Sequence, residues 1–312
     1  MPSPRILYLC PDIPQPSGGV AAIYEHVRTL NRHGHLAFVL HFIDREPNRF
    51  AGPPPPVLSF WDGLTLSKSD ILVVPEGCLF NELKDLSGLR KIAFVQSCLF
   101  AFDGPGGPGL WEDLDFSGAI CCSELTASFA RSTLGIADAR VVLNAVDPAL
   151  FRPGEKTLAI ATMPRKQPVE LRFLRQAFQL RNPGWRNIPW LALENLTRAE
   201  VGQALATSAV FLSTCLFEGF GLPALEAMAC GCLVTGFHGY GGLEYANSSN
   251  GLWCDQGDLL GALTALERAV ALHMENGPAA QALRREAMAT AATYSPREQE
   301  NALLAVWADW RA

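Results

Sequence analysis

The sequence predicts an α/β protein made of two domains, each with a doubly wound parallel sheet. The first observation is length, since 312 residues favour two domains at roughly 100–200 residues each. The second is composition, because 49% hydrophobic and 18% charged residues are typical of globular domains. The third is pattern: short apolar runs alternate with segments of helical spacing in both halves, as in parallel sheets with crossover helices.

The first half begins with an apolar strand over Ile6–Cys10, a loop that ends in Gly18 and Gly19, and a helix over 20–31. Ser123 is placed to cap a second helix. Further strands are predicted at 36–42, 70–74, 91–96, 118–122 and 140–143. Ligands in open α/β sheets bind beyond the carboxyl ends of the strands, so the glycine pair predicts a turn that contacts a phosphate or a sugar. An ordinary tight turn is the alternative.

The second half begins with a strand at 158–162, which Arg165 and Lys166 follow. Two cations at the carboxyl end of a strand suit a diphosphate, and a solvated charged loop is the alternative. Thr197 and Glu200 form a capping box that opens a helix. The other predicted elements are a helix at 169–180, a strand at 251–254, long helices from 258 onward, and a last helix capped by Ser295.

The most informative segment lies in the middle of this second half. An apolar strand at 209–212 leads into a loop that contains Gly219 and Gly221. Pro223 suits the first position of a helix, where its missing N–H has no partner to lose. A glycine follows the end of this short helix and precedes another strand at 232–236. The segment is therefore predicted to be strand, glycine-bearing loop, helix and strand.

Such a loop presents the free N–H groups of a helix N-terminus, which carries roughly half a positive charge. The two glycines allow a ligand to approach the backbone closely, so the predicted ligand is a phosphate or another anion. Two carboxylates flank this position, Glu218 before the helix and Glu226 within it. Acids beside a phosphate are favourable only if they accept hydrogen bonds from hydroxyl groups, which a sugar or a ribose supplies.

Glu218 and Glu226 stand in the context Glu-Gly-Phe-Gly-Leu-Pro-Ala-Leu-Glu-Ala-Met-Ala-Cys-Gly. This segment resembles the signature of the retaining glycosyltransferases of family 4 (glycosyl transferases group 1). The resemblance implies the GT-B fold, in which two Rossmann-like domains face each other across a cleft. It also implies transfer of a sugar from a nucleotide diphosphate donor to an acceptor, with retention at the anomeric carbon and without a metal or other cofactor.

The resemblance further implies roles for individual residues. Glu226 would bind the ribose hydroxyls and Glu218 the donor sugar, while Arg165 and Lys166 would stabilise the leaving diphosphate. The candidate catalytic residues are Glu218, Arg165 and Lys166. The candidate donor-binding residues are Glu226, Gly219, Phe220, Gly221, Leu222, Gly18, Gly19, Gly241 and Gly242.

The chain departs from the family pattern at three places. Many relatives carry a histidine after the strand at 91–96, where this chain has Gln96. The usual spacing of the arginine and lysine at the diphosphate differs from the adjacent Arg165 and Lys166. Ala145 replaces a glycine in the segment that resembles the family's interdomain connection. On that connection we place an acceptor domain at 1–152, a donor domain at 153–294, and a helix at 295–312 that crosses back to the first domain.

Net charge and cysteine content bear on the class of partner and on the cellular compartment. The net charge of −6 argues against a nucleic-acid-binding protein, although a local basic patch and a weak membrane association stay open. No apolar run reaches the roughly 18 residues of a membrane span, and the nine cysteines include no Cys-x-x-Cys pair, so we expect a cytoplasmic protein with reduced thiols. Asp113 and Asp115 form an Asp-x-Asp pair, but it follows a glycine-rich loop rather than a strand. We therefore expect a solvated acidic turn and no metal site.

Some questions of function stay open at this stage. The acceptor is a saccharide, a lipid-linked molecule or a small molecule. An epimerase or hydrolase acting on nucleotide sugars on the same fold would turn over the donor without an acceptor. A non-catalytic protein that kept the nucleotide pocket would bind the donor without turnover. The missing histidine slightly favours this last alternative, and the intact pair of glutamates argues against it.

Overall fold

The computed structural model describes two compact units. The described residues are 4–13, 17–42, 54–60, 63–164 and 167–311. The first unit comprises residues Met1–Asn144 and Gln299–Ala312, and the second comprises Ala145–Glu298. Arg165 and Lys166, predicted to contact a diphosphate, lie outside the described residues.

The first unit is built around a parallel sheet. Its strands, among the residues described, are β1 (Ile6–Cys10), β2 (Ala37–His41), β3 (Val57–Ser59), β4 (Ile71–Pro75), β5 (Arg90–Val95), β6 (Gly118–Cys121) and β7 (Ala139–Val141). Their spatial order is β3-β2-β1-β4-β5-β6-β7, and all neighbouring pairs are parallel. The chain therefore reverses its direction of travel across the sheet between β1 and β4, which is the topological switch point where ligands bind in such sheets.

Helices cover both faces of this first sheet. They are α1 (Gly18–Arg32), α2 (Leu110–Asp113), α3 (Glu124–Ser132) and most of the last helix of the chain, α9 (Pro296–Arg311). Alternate residues of β1 enter different cores. Tyr8 packs in one cluster with residues of α1 and α9, while Leu7 and Leu9 pack in another with residues of α3. A strand buried on both faces reads as a continuous apolar run, which explains why β1 is recognisable in the sequence.

The last helix is held to the first unit by specific contacts. Trp310 donates a hydrogen bond from Nε1 to a carboxylate oxygen of Asp138 at 2.7 Å. The indole also lies against Gly118, where an added Cβ would come within 2.8 Å of it. Trp307 is fully buried in the core that contains Tyr8. The two tryptophans of α9 therefore serve the core and edge of the first unit.

The second unit contains a smaller parallel sheet. Its strands, in the part of the chain that the structure describes, are β8 (Thr157–Thr162), β9 (Trp190–Ala192), β10 (Ser208–Ser213), β11 (Leu233–Gly236) and β12 (Leu252–Trp253). Their order is β12-β11-β10-β8-β9, again with parallel pairs only. The helices of this unit are α4 (Pro168–Arg181), α5 (Arg198–Thr207), α6 (Leu222–Ala229), α7 (Leu259–Glu275) and α8 (Pro278–Ala292).

Local signals placed most element ends correctly. The side chains of Ser123 and Thr197 cap α3 and α5, each in a complete capping box. Gly231, just past α6, has φ 76°, the left-handed conformation predicted for it. One prediction needs correction: α1 begins at Gly18 because Ser17 caps it, so the glycine pair lies in the first helical turn and not in the loop. No described helix combines the length and the apolar character that crossing a membrane requires.

Candidate functional site

The loop between β10 and α6 ends in a glycine that no other residue could replace without strain. Gly221 is the N-cap of α6, with φ 88° and ψ 41°. A Cβ at this position would lie 2.6 Å from the hydroxyl of Tyr245. No side chain in the described part of the protein caps the helix, so its first N–H groups face the loop without a side-chain acceptor there. The helix begins at Leu222, one residue before the predicted start, and Pro223 lies in its first turn.

Glu218 is held at the carboxyl end of β10 by its own backbone. Its N–H donates to the carbonyl of Gly239 at 2.7 Å, and its carbonyl accepts from the N–H of Gly241 at 3.0 Å. An added Cβ at Gly241 would lie 2.5 Å from the carbonyl oxygens of Glu218 and Gly219, so only glycine allows this approach. The half-buried carboxylate of Glu218 accepts a hydrogen bond from the thiol of Cys215 at 3.3 Å. The structure thus brings together Glu218 and the glycines predicted from two separate segments.

Glu226 lies in the interior of α6 and is only 6% exposed. Its Oε1 accepts a hydrogen bond from Nη2 of Arg198, the first residue of α5, at 3.0 Å. Burial raises the pKa of Glu226, and the charge of Arg198 acts in the opposite direction. The guanidinium also lies over the ring of Phe151, 5.4 Å from its centroid. Arg198 is therefore the partner that favours the ionised form of this buried carboxylate.

Two further residues support the loops and were not predicted from the sequence. Gln256 donates from Nε2 to the carbonyls of Cys215 and Leu216 at 2.8 and 2.7 Å, and its Oε1 accepts from the N–H of Gly239 at 3.1 Å. Tyr245 donates from its hydroxyl to the carbonyl of Gly221 at 2.6 Å. Both side chains join segments that are distant in sequence, so no local pattern marks them.

An aromatic cluster underlies the same loop. Phe220, one of the predicted donor-binding residues, is 3% exposed. Its ring lies 6.0 Å from that of Tyr245 and 5.5 Å from that of Tyr294, both edge-on. The side chain of Phe220 is thus a core element that anchors the loop.

The remaining glycines occupy two places. Gly242 follows Gly241 in a single turn of 3₁₀-helix, and an added Cβ there would lie 3.2 Å from the Cβ of His238. Gly18 and Gly19 belong to the first unit, at the start of α1. Gln96, where relatives carry histidine, donates from its side-chain amide to the carbonyl of Gly19 at 3.3 Å.

Two other features bear on the site. Within the described ranges, no group of three or more histidine, cysteine or acidic side chains is arranged to hold a metal ion. Asp113 of the Asp-x-Asp pair instead forms an ion pair with Lys84 at 2.7 Å. A pocket of about 320 Å³ lies beside His238 and Trp253 at the carboxyl end of β11 and β12, and neither Glu218 nor Glu226 lines it.

Comparison with known proteins connects this geometry to a family. Residues 192–290 match the family model of the glycosyl transferases group 1. The chain is 27% identical over 256 residues to an alpha-1,6-glucosyltransferase of Actinobacillus pleuropneumoniae serotype 7 (strain AP76), which covers 78% of this chain and 76% of that protein. The segment 192–290, which matches the family model, contains Glu218, Glu226, Arg198, Gln256 and the glycine-rich turn.

Solved structures with the same architecture cover nearly the whole chain. Sucrose-phosphate synthase from Thermosynechococcus elongatus superposes with a TM-score of 0.70 at 11% identity, over 98% of this chain and 99% of that one. Anabaena Alr3699/HepE in complex with UDP and glucose superposes with a TM-score of 0.68 at 16% identity, over 98% and 99%. The two parallel-sheet α/β domains therefore form a GT-B fold, which confirms the fold class predicted from the sequence.

Proposed function

We propose that the protein is a retaining glycosyltransferase of family 4 that transfers a sugar from a nucleotide diphosphate donor to an acceptor hydroxyl. One observation carries this proposal: two carboxylates flank the N-terminus of α6, a helix whose N-cap is a glycine and which no side chain among the described residues caps. The match of residues 192–290 to the family model supports it, because this segment contains both carboxylates.

The N-terminus of α6 binds the diphosphate in this proposal. Its N–H groups and the positive end of the helix dipole stabilise the charge that develops as the diphosphate leaves. Arg165 and Lys166 add two cations to that site. Because the N–H groups of the helix are preorganised, they stabilise the transition state without a metal ion, and the departing phosphate acts as the base for the incoming hydroxyl.

The two glutamates act on different parts of the donor. Arg198 holds Glu226 through Oε1 and favours its ionised form, so the carboxylate is oriented to accept hydrogen bonds from the ribose hydroxyls. Glu218 lies before the helix and binds the sugar, whose charge and geometry change during the reaction. Only interactions that strengthen in the transition state raise turnover, so Glu218 acts mainly on the transfer step.

The donor and acceptor are chosen from the relatives. The similar Actinobacillus protein is named as an alpha-1,6-glucosyltransferase, and the Anabaena structures contain UDP, glucose or UDP-glucose. We therefore propose a UDP-hexose donor, with UDP-glucose tested first, and a saccharide acceptor.

Glu226→Gln and Glu218→Gln test this division of roles. Glu226→Gln should weaken UDP binding roughly ten-fold, because hydrogen bonds to charged groups contribute about 1.5–3 kcal/mol and ~1.4 kcal/mol is ten-fold in affinity. Glu218→Gln should leave UDP affinity nearly intact and lower turnover strongly. Calorimetric titration with UDP and initial rates with UDP-glucose measure both effects, and NMR of the product shows whether the anomeric configuration is retained.

Glu275→Gln, at the exposed end of α7, is the matched control and should behave as the wild type. Equal loss of UDP affinity in the two site variants would refute the separate roles. Wild-type transfer rates in both Glu226→Gln and Glu218→Gln would refute the proposal that the protein is a glycosyltransferase. Turnover of UDP-glucose at the same rate with and without an acceptor would point to a hydrolase or an epimerase instead.

A further inference from the structure

Tyr240 adopts a backbone conformation that a residue with a side chain rarely takes. Its φ is 60° and its ψ is −54°. The N–H of Gly241 donates to the carbonyl of Gly239 at 2.7 Å, so the three residues form a tight turn with tyrosine at its centre. A bulky residue with positive φ persists only where the surroundings hold it, and such residues concentrate at functional sites.

The surroundings of this turn hold it from several sides. Glu218 bonds to Gly239 and Gly241 on either side of Tyr240, through its N–H and its carbonyl. The side chain of Gln256 accepts from the N–H of Gly239 at 3.1 Å. Nδ1 of His238 accepts from the N–H of Tyr240 itself at 3.1 Å. The disfavoured conformation is therefore built into the loop that carries Glu218.

Core packing does not explain the tyrosine ring. Tyr240 is 44% exposed. Among the described residues, two aromatic rings lie near it: that of Phe217 at 5.5 Å and that of His238 at 6.0 Å. A glycine at this position would make the same turn without strain, since glycine adopts positive φ readily. Neither core burial nor the geometry of the turn therefore requires a ring at this position.

The position of Tyr240 indicates a role for the ring in ligand binding. Glu218 and Tyr240 are partners in a parallel β-bridge, so the backbone that carries the exposed ring runs beside the residue that we assign to the donor sugar. A hexose has hydroxyl groups at its edge and apolar C–H groups on its faces. Ligand sites combine a few placed polar groups with aromatic surface, which here are the Glu218 carboxylate and the Tyr240 ring.

We propose that Tyr240 determines specificity in the donor site by packing its ring against the apolar face of the transferred sugar. This inference rests on the function proposed above. It requires that the ring contribute to binding of the sugar and not to binding of the nucleotide, which is held by α6 and Glu226. The strained turn orients the ring before the donor arrives.

The test compares three substitutions with a neighbour. Tyr240→Ala should weaken UDP-glucose binding and lower kcat/KM roughly ten-fold, while the Kd for UDP changes less than about two-fold. Tyr240→Phe should keep the wild-type kcat/KM and the wild-type Kd for UDP, because phenylalanine keeps the face of the ring. Tyr240→Gly should lose sugar binding as Tyr240→Ala does, yet melt no lower than Tyr240→Ala, since glycine relieves the strain. Leu243→Ala is the control, because Leu243 is 62% exposed in the next turn.

Three results with the variants would overturn the inference. Tyr240→Ala could bind UDP-glucose as the wild type does. It could lose affinity for UDP and UDP-glucose equally, which would indicate a displaced loop. Leu243→Ala could show the same loss, which would indicate a nonspecific effect of the surface. A wild-type protein that binds no UDP-sugar would overturn the proposed function together with this inference, so the two failures are distinguishable.

Discussion

Replacing Glu76 with glutamine should stabilise the first unit at neutral pH and above. Glu76 follows β4 at the switch point of the first sheet and is 5% exposed. Its Oε2 has no hydrogen-bond partner among the described residues. Burial raises the pKa of Glu76 from 4.5 to about 7, although the backbone N–H groups of Gln96 and Ser97 favour the charged form. A carboxyl group in this position is costly to ionise.

The sign of the effect follows from proton binding. Between pH 4.5 and about 7 the folded state keeps the proton of Glu76 that the unfolded state has lost. The contribution of Glu76 to the free energy of unfolding is therefore fully present below pH 4.5 and is lost as the pH rises through about 7. A pKa difference of about 2.5 at 1.36 kcal/mol per unit gives a loss of roughly 3 kcal/mol. Glutamine keeps the shape of the protonated acid and has no proton to lose.

A histidine in the same unit conceals this effect in the wild type. Burial lowers the pKa of His26 from 6.5 to about 4. Between pH 4 and 6.5, therefore, His26 is protonated in the unfolded state and neutral in the folded state. His26 therefore stabilises the folded state increasingly from pH 4 to 6.5, opposite to Glu76. The two pH dependences oppose each other in the wild type between pH 4.5 and 6.5. Glu76→Gln removes one of them and leaves that of His26.

The assay is urea unfolding of the wild type and the variant at intervals from pH 4.5 to 8, with hydrogen exchange in β1 and β4 to assign the transition to the first unit. The difference in unfolding free energy should grow from near zero to roughly 3 kcal/mol in favour of glutamine. Glu82→Gln, at an exposed site nearby, should change it by less than about 0.5 kcal/mol. A difference that does not vary with pH would refute the reasoning, because it would mean that Glu76 is as easily ionised in the folded as in the unfolded state.

Three further predictions concern the second unit. Gly221→Ala should lower the melting temperature more than Gly257→Ala, because both have positive φ (88° and 86°) but only Gly221 has an atom within 4 Å of the added Cβ; equal effects would contradict the steric argument. Arg198→Ala should weaken UDP binding roughly ten-fold at neutral pH, because the loss of the Arg198 charge raises the pKa of Glu226. The affinity for UDP should recover as the pH rises. Calorimetry from pH 6 to 9 measures the affinity, and an affinity that does not vary with pH would contradict this prediction. Transfer should survive treatment with a chelator, and its loss on chelation with recovery on adding Mg²⁺ or Mn²⁺ would show that a metal is required.

The fold was predictable because its strands are buried on both faces. Each of β1, β4, β6 and β11 is buried throughout, so each appears in the sequence as a short apolar run whatever its neighbours are. The three-residue strands β3 and β9 are partly exposed and leave no such run, and neither was predicted. Helix starts were predictable where a cap and its partner lie within one turn, as in α3 and α5.

The candidate site was predictable only as far as it is local. Glu218, Gly221 and Glu226 lie in one strand–loop–helix segment, so the glycines, the helix start and the two acids of that segment together predict an anion site flanked by acids. Arg198 lies 28 residues before Glu226, and a capping box marks the start of its helix without indicating what its side chain contacts. The burial of Glu76 is likewise invisible in a sequence where an acid after a strand is ordinarily solvated.

The order of the strands explains which partners the sequence could not reveal. Gln256 follows β12, and the strand order places β11 between β12 and β10. The side chain of Gln256 bonds both to the loop after β11, at Gly239, and to the loop after β10, at Cys215. One amide side chain thereby fixes the loop that carries Glu218 and the turn that carries Tyr240. The backbones of Glu218 and Tyr240 cannot shift independently, since the same turn bonds to the backbone of Glu218 on both sides. In the proposed function, a donor sugar would thus meet a carboxylate and a ring carried by two backbone segments that the fold holds together.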